Sequence, residues 1–249
     1  MYAAEFTDNI EILKVLLEKG ADPNAQNIND LTALMLAVIN ENNNVVNKLL
    51  DTTINIKAKD KQTGMTALMF AVKNGNQLVV DAILEKDYQF NEKDIEGETA
   101  LMYAVKENNE NIVKSLLDKG AAIEERNNTH KTALIWAAFM GHETIVNTLL
   151  EAHANSNAQD NRGQTALMLA SYYGYGRIVN ALLNARADPN IQDFDSRTAL
   201  MLAAGRGQDA VVSSLLEYDA ERGLEDREGR IALNYACPFT NLVPHLQLP

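Results

Sequence analysis

The chain has 249 residues, 46% hydrophobic and 22% charged, with 22 basic against 34 acidic side chains and a formal charge of −12. That composition suits a folded chain and is too apolar for a disordered one, and an acidic balance argues against a duplex or RNA binder, which needs a basic surface to release counterions. One cysteine, Cys237, forms no internal disulfide or thiolate metal site, and the longest apolar stretch, Leu31 to Ile39, is far short of the ~20 residues that span a bilayer. Glu5 and Asp8 stand where an export signal would place basic and then apolar residues. The opening residues supply part of a helix pair ending in Leu16-Leu17, without its opening turn. Residues 1–26 are therefore read as a partial unit, either a polar cap or the interior of a longer array.

From there the sequence repeats. Thr-Ala-Leu begins at Thr32, Thr66, Thr99, Thr132, Thr165 and Thr198, and Ile-Ala-Leu at Ile231, with one step of 34 residues and five of 33. Each Thr stands where a helix N-cap is wanted, its hydroxyl placed to accept from an amide two or three residues on. A short apolar helix follows, such as Leu101 to Val105, then a polar break, then a second apolar stretch. The second stretch ends at Leu49-Leu50, Ile83-Leu84, Leu116-Leu117, Leu149-Leu150, Leu182-Leu183 and Leu215-Leu216. Ile145, Val146, Leu149 and Leu150 have the spacing of one helical face. Gly20 and Gly120 supply left-handed C-caps, and the Asp-Pro pairs at Asp22 and Asp188 stop the helix. One such pair leaves apolar faces uncovered and a stack of them does not, so the fold class is all-α: a solenoid of helix-turn-helix units.

The pattern resembles ankyrin repeats: period 33, a Thr-x-Leu opening, an Ile-Val-x-x-Leu-Leu helix and a Gly-Ala-Asp-x-Asn tail, matched in full by Gly20 to Asn24. The resemblance covers about residues 1–237. It implies one ankyrin-repeat domain over 1–249, its units joined by β-hairpin-like loops. The divisions are a partial unit at 1–26, repeats at about 27–59, 60–93, 94–126, 127–159, 160–192 and 193–225, and a capping unit at 226–249. Two features depart from the family. Ala replaces its Pro after Thr, and Met35, Met69, Met102, Met168 and Met201, with Ile135, replace its His. Since that His ties neighbouring turns by hydrogen bonds, the loops are expected to be held more by packing than by polar ties. The extra residue in Lys61-Gln62-Thr63 should lengthen one hairpin tip. The tail residues Asn24, Asn157 and Asn190, with Asn91 more loosely, match a family site of asparaginyl hydroxylation, but a local turn role is expected for them.

Near the C-terminus Pro238 stops the last short helix, and Phe239, Leu242, Val243 and Leu246 are expected to fold back over the final repeat. Every basic residue up to Lys119 is Lys, and from Arg126 onward all but Lys131 are Arg. Either duplication history or a partner facing the Arg-rich half accounts for this.

No enzyme constellation is found. His130, His142, His153 and His245 occupy different repeat positions, which suggests neither a zinc cluster nor a base–nucleophile pair. Gly174-Tyr175-Gly176 lacks the strand of a dinucleotide site and reads as an inter-helix turn, and Asp193-Phe194-Asp195 lacks the rest of a calcium loop. Asn127 heads a glycosylation sequon that matters only on export, and Cys237 reads as a buried inert thiol. No catalytic residue, cofactor or metal is expected.

Binding is sought where the repeats differ. The residues closing the first helices are Ile39-Asn40, Lys73-Asn74, Lys106-Glu107, Phe139-Met140, Tyr172-Tyr173 and Gly205-Arg206. Two adjacent repeats thus place large apolar groups where solvated ones are expected. Phe139, Met140, Tyr172 and Tyr173, rimmed by Lys131, Arg162, Phe194, Arg197 and Arg206, with Arg227 and Arg230 nearby, form the candidate partner site. Trp136 is expected to pack inside. The family likeness implies a scaffold that binds another protein on its concave groove and hairpin tips. Nucleic acid and membrane insertion are not expected, and the location is expected to be the cytoplasm, or a host cytoplasm for a secreted effector. Three alternatives stand beside this reading: a targeting segment of a larger enzyme, channel or effector; a small-ligand binder; and an array that self-associates through its N-terminal unit instead of remaining monomeric.

Overall fold

The computed structural model describes residue 4 and residues 10–86, 91–236 and 243–247. These form helices and loops, with two isolated β-bridges, Gln26 to Thr32 and Gln159 to Thr165, and no strand among the described residues. The expectations for Cys237, Phe239 and Leu242 fall outside the described residues. By internal contacts the chain divides into two compact units, Met1–Ala122 and Ile123–Pro249. That boundary falls where Lys gives way to Arg in the sequence.

The first unit holds α1 (Ile10–Glu18) and three helix pairs: α2 (Ala33–Ile39) with α3 (Asn43–Leu50), α4 (Ala67–Lys73) with α5 (Gln77–Lys86), and α6 (Ala100–Lys106) with α7 (Glu110–Asp118). The second unit repeats the plan with α8 (Ala133–Met140) and α9 (Glu143–Glu151), α10 (Ala166–Tyr173) and α11 (Gly176–Asn184), and α12 (Ala199–Gly205) and α13 (Asp209–Glu217). It closes with two single turns, α14 (Ala232–Tyr235) and α15 (Val243–Leu246). Within each unit, first helices pack on first helices and second helices on second helices. Leu246 is fully buried, so the C-terminal segment does return onto the stack at that residue.

Local chemistry sets each pair. The six Thr hydroxyls accept from the third amide of their helix at 3.2–3.4 Å. Where Ile231 replaces Thr, no side chain caps the first turn in that way, and α14 is four residues long. Between first and second helix the chain needs one left-handed residue. Gly141 and Gly174 supply it, with φ of 78° and 76°, which makes Gly174-Tyr175 the inter-helix turn the sequence suggested. The core is the facing apolar stripes. Met35, Met69, Met102, Met168 and Met201 lie fully inside it, in the positions of the family His.

Polar ties between repeats are nevertheless numerous, against expectation. At the hairpin tips, backbone amides bond across to the preceding tip: Lys61 to Asn29, Ile95 to Thr63, Asn161 to Thr129, Phe194 to Arg162 and Arg227 to Asp195. Gln159 and Gln192 each donate to a carbonyl of the next repeat, at 3.2 and 2.9 Å. The tail asparagines also reach across instead of closing their own turns. Asn24, Asn91, Asn157 and Asn190 accept from the amides of Asn55, Ala122, Asp188 and Glu221 at 2.6–2.9 Å. The local turn is closed by the preceding side chain, as Asp22 does for Asn24 and Asp188 for Asn190. With Met at the family His position, the repeats are therefore tied by polar bonds at the hairpin tips and tails.

Asn190 also donates to the Asp219 carbonyl at 3.2 Å, which makes it a two-bond link. Net worth is about 0.5–1.5 kcal/mol for each such bond. Asn190→Ala is expected to lower unfolding stability by ~1–2 kcal/mol, read as a lower urea midpoint with an unchanged slope.

Candidate functional site

The loops before the first helices are built alike. An Asn or Asp stands five residues before each capping residue, or six in the lengthened loop: Asn27, Asp60, Asp94, Asn127, Asp160, Asp193 and Asp226. In all but the Asp60 loop its Oδ1 accepts from the amides two and four residues on, at 2.8–3.0 Å. Its own amide donates to the carbonyl four residues on, which closes the hairpin. At Asp60 that closure spans five residues, so the inserted residue does lengthen the tip.

A buried carboxylate needs its second oxygen satisfied as well. Tyr103 donates to Asp94 at 2.6 Å and Tyr235 to Asp226 at 2.5 Å, each clamping a first helix to its hairpin. Arg197 and Arg230 reach back to Asp193 and Asp226 at 2.8 Å, and Lys131 lies 3.3 Å from Asp160. Burial raises the Tyr103 phenol well above its ordinary pKa, and the neighbouring Asp94 adds to the rise. Burial alone pushes the Asp60 carboxyl up, but hydrogen bonds from the Thr63 hydroxyl and the amides of Thr63, Met65 and Gln62 outweigh it and lower the pKa.

Above the loops of the second unit runs a row of rings. Trp136 and Phe139 are three residues apart on α8 and meet edge to face, centroids 5.7 Å apart. Phe139 meets Tyr173 of α10 at 5.6 Å, and Tyr173 meets Tyr172 at 5.1 Å, both edge to face. Tyr175, at the start of α11, stacks on Tyr173 at 5.8 Å. A cation sits at each end: Lys131 Nζ is 5.6 Å from the Trp136 ring, and the Arg206 guanidinium 4.0 Å from the Tyr172 ring. Ring pairs of this geometry contribute about 0.5–1.5 kcal/mol each beyond their buried area. The row is ordered, yet Tyr173 remains 43% exposed and Met140 39%.

These repeats, caps and loops are those of a known family. A family model described as ankyrin repeats (3 copies) matches residues 1–94, 86–160, 124–193 and 167–246. The chain belongs to the ankyrin repeat family. Among solved structures it is similar to the ankyrin repeat domain of Bcl-3, described as a unique member of the IkappaB protein family. The TM-score is 0.77 and the identity 26%, over 86% of this chain and 96% of that one. No curated protein matches.

On this ankyrin array the candidate residues separate into three groups. Phe139, Tyr172, Tyr173 and Arg206 lie in the row, and Met140 is exposed at the end of α8. Lys131 and Arg197 stand at the hairpin bases, each beside its aspartate, and Arg197 also pairs with Asp195 at 3.1 Å. Arg162 and Phe194 are on the tips, with Phe194 58% exposed and close against Gly163. Two members of the row were not among the candidates. Trp136 is half-buried and joins the row through its contact with Phe139, while the matching Leu169 and Leu202 of the next repeats are buried. Tyr175 occupies an N-cap slot that is Asn42, Asn109, His142 or Gln208 elsewhere, and one ring in a polar column was the signal for it.

Elsewhere a cleft of about 630 Å³ opens between α9 and α11, lined by Asn147, Glu151, Arg177, Asn180 and Asn184 among others. Among the described residues no group of three or more His, Cys, Asp or Glu is placed to hold a metal ion. No described helix is long and apolar enough to cross a membrane.

Asp226 gives the loop a pH signature. Burial alone pushes its carboxyl up, but hydrogen bonds from Tyr235, from the Arg230 amide and guanidinium and from the Glu228 amide hold its pKa well below 3.8. A pKa depressed on folding stabilises the fold above about pH 4, and that contribution is lost as pH falls further. Asn127 shows that an amide keeps both backbone bonds. Asp226→Asn is therefore expected to fold at pH 7 with lower stability, and to lose less than wild type between pH 4 and 2, as read by urea unfolding across that range.

Proposed function

We propose that the chain is a non-catalytic, intracellular scaffold that binds another protein on the first-helix face of its second unit. Ankyrin repeats are in general protein–protein interaction modules, and the similar Bcl-3 domain belongs to the IkappaB family. The observation that carries the reading is the ring row. Phe139, Tyr172 and Tyr173 are held in fixed edge-to-face geometry while part of their surface stays open. Aromatic and Arg side chains concentrate binding energy at interface centres, and a preordered surface loses little entropy on association. The tip residues Arg162 and Phe194 and the hairpin residues Lys131 and Arg197 form the rim of this proposed face. The division into repeats at about 27–59, 60–93, 94–126, 127–159, 160–192 and 193–225 belongs to the same proposal.

The first unit offers a poorer surface. There Lys106 is spent on Glu98 at 2.6 Å and over Tyr103, and Asn74 donates to the Val38 carbonyl. A small-ligand reading finds little support in the cleft between α9 and α11, which carries five amide or charged groups and no ring.

The test is an affinity capture from source-cell lysate with wild type and with a folded Phe139→Ala, Tyr172→Ala, Tyr173→Ala variant. A protein held by wild type and lost by the variant is expected. Against that partner Tyr172→Ala is expected to cost ~1–3 kcal/mol of binding with little change in unfolding midpoint. Unchanged binding with a large loss of stability would sink the reading.

Self-association has one observation of its own. Ile12, Val15 and Leu16 of α1 are exposed, although the residues matching Ile12 and Leu16 in the next repeat, Val45 and Leu49, are fully buried. If this face pairs with a second copy, sedimentation mass rises with concentration and Leu16→Glu abolishes the rise. A constant monomer mass for wild type removes this reading.

A further inference from the structure

The cations around the ring row are not equivalent. Lys131, Arg197 and Arg230 each stand beside the buried aspartate of a hairpin, at 3.3, 2.8 and 2.8 Å. Their charge is balanced within the fold. Arg206 is different. It closes α12, is exposed, and lies over the Tyr172 ring, its Cζ 4.0 Å from the centroid, with no carboxylate in ion-pair range among the described residues. Stacking orders a guanidinium and leaves the N–H groups on its edge unspent. Tyr173, edge to face with that Tyr172 ring, is 43% exposed, and one repeat further along the row Met140 is 39% exposed.

Resting on the protein-binding reading above, we infer that the partner is a peptide segment carrying a single Asp or Glu beside an apolar or aromatic side chain. The carboxylate takes the fork of Arg206, and the apolar group seats on Phe139, Met140 and Tyr173. Charge complementarity selects this occupant. A cationic segment would meet Lys131 at one end of the row and Arg206 at the other, each already on a ring face. A polyanion such as nucleic acid would need several free cations along the face, and the hairpin aspartates hold three of them. One preordered guanidinium beside open ring surface suits one carboxylate next to one apolar anchor.

The experiment selects short random peptides displayed on phage against the full chain, with counter-selection on the folded triple Ala variant. Enriched peptides are expected to carry Asp or Glu within a few residues of Phe, Trp, Leu or Met. By fluorescence anisotropy, Arg206→Gln should weaken the best peptide about tenfold and Arg206→Lys less, since Lys keeps the charge and lacks the fork. Exchanging the peptide acid for its amide should lose a similar factor. The two changes together should lose little more than either alone, which is the mark of a direct pair. The Arg206 side chain is exposed and has no ion pair among the described residues, so the unfolding midpoint of Arg206→Gln should stay close to wild type. Peptides lacking an acid, acidic peptides held equally by Arg206→Gln, or no enrichment overturn the inference. If peptides without an acid bind wild type and not the triple variant, the binding face survives and the carboxylate assignment alone falls.

Discussion

An Asn or Asp side chain at the same point of seven loops, buried in all but the Asn27 loop, governs how every first helix is presented. Its oxygen gathers two amides that face away from any helix or strand, and so makes a tight hairpin out of residues with no strand partner. Once the hairpin is closed, the capping residue follows five residues on, or six in the lengthened loop, and the first helix starts there. A carboxylate in this place holds the loop only if its charge is met. The protein meets it with whatever the repeat offers: a phenol at Tyr103, guanidinium groups at Arg197 and Arg230, an ammonium at Lys131. The loops are thus alike in backbone and different in side chain, and this is how a repeated fold acquires an unrepeated surface.

The ring row depends on the same arrangement. First helices of neighbouring repeats lie side by side, so residues one repeat apart become lateral neighbours. Phe139 finds Tyr173 in this way, and Arg206 finds Tyr172. The edge-to-face contacts fix the rings without burying them completely. A surface ordered by its own contacts has little left to lose when a partner arrives, and that distinguishes it from scattered exposed residues such as Ile28 or Leu78.

Much of this was readable in the sequence because it is local. Period, helix pairs, Thr caps and left-handed glycines follow from spacings of a few residues, and the helices appear where those spacings place them. What was misread depends on contacts about a repeat apart. The tail asparagines look like turn residues, yet their oxygens accept from amides 31 residues on. Trp136 stands on an apolar first helix and so looks internal, but its column runs along the rim: Leu36, Leu169 and Leu202 are buried there, while the rings of Phe70, Tyr103 and Trp136 stay partly exposed. The loop aspartates formed a visible column with the repeat's own period. Their role needed the knowledge that the position is buried, and an Asp in a polar loop does not announce burial.

The change from Lys to Arg acquires a physical meaning from the same contacts. Arg197 and Arg230 use the fork geometry to hold Asp193 and Asp226 from four residues away while also reaching Asp195 and Glu228. A lysine at those positions would bring one point charge and no planar pair of donors. These arginines therefore stabilise their own loops, and their abundance alone does not mark a binding surface. Arg206 stands out by contrast, since its guanidinium is ordered by a ring and not by a carboxylate. Of the described cations that lie over a ring, Lys106, Lys131 and Arg230 each also meet a carboxylate and Arg206 does not, so its donors have recognition capacity to spare.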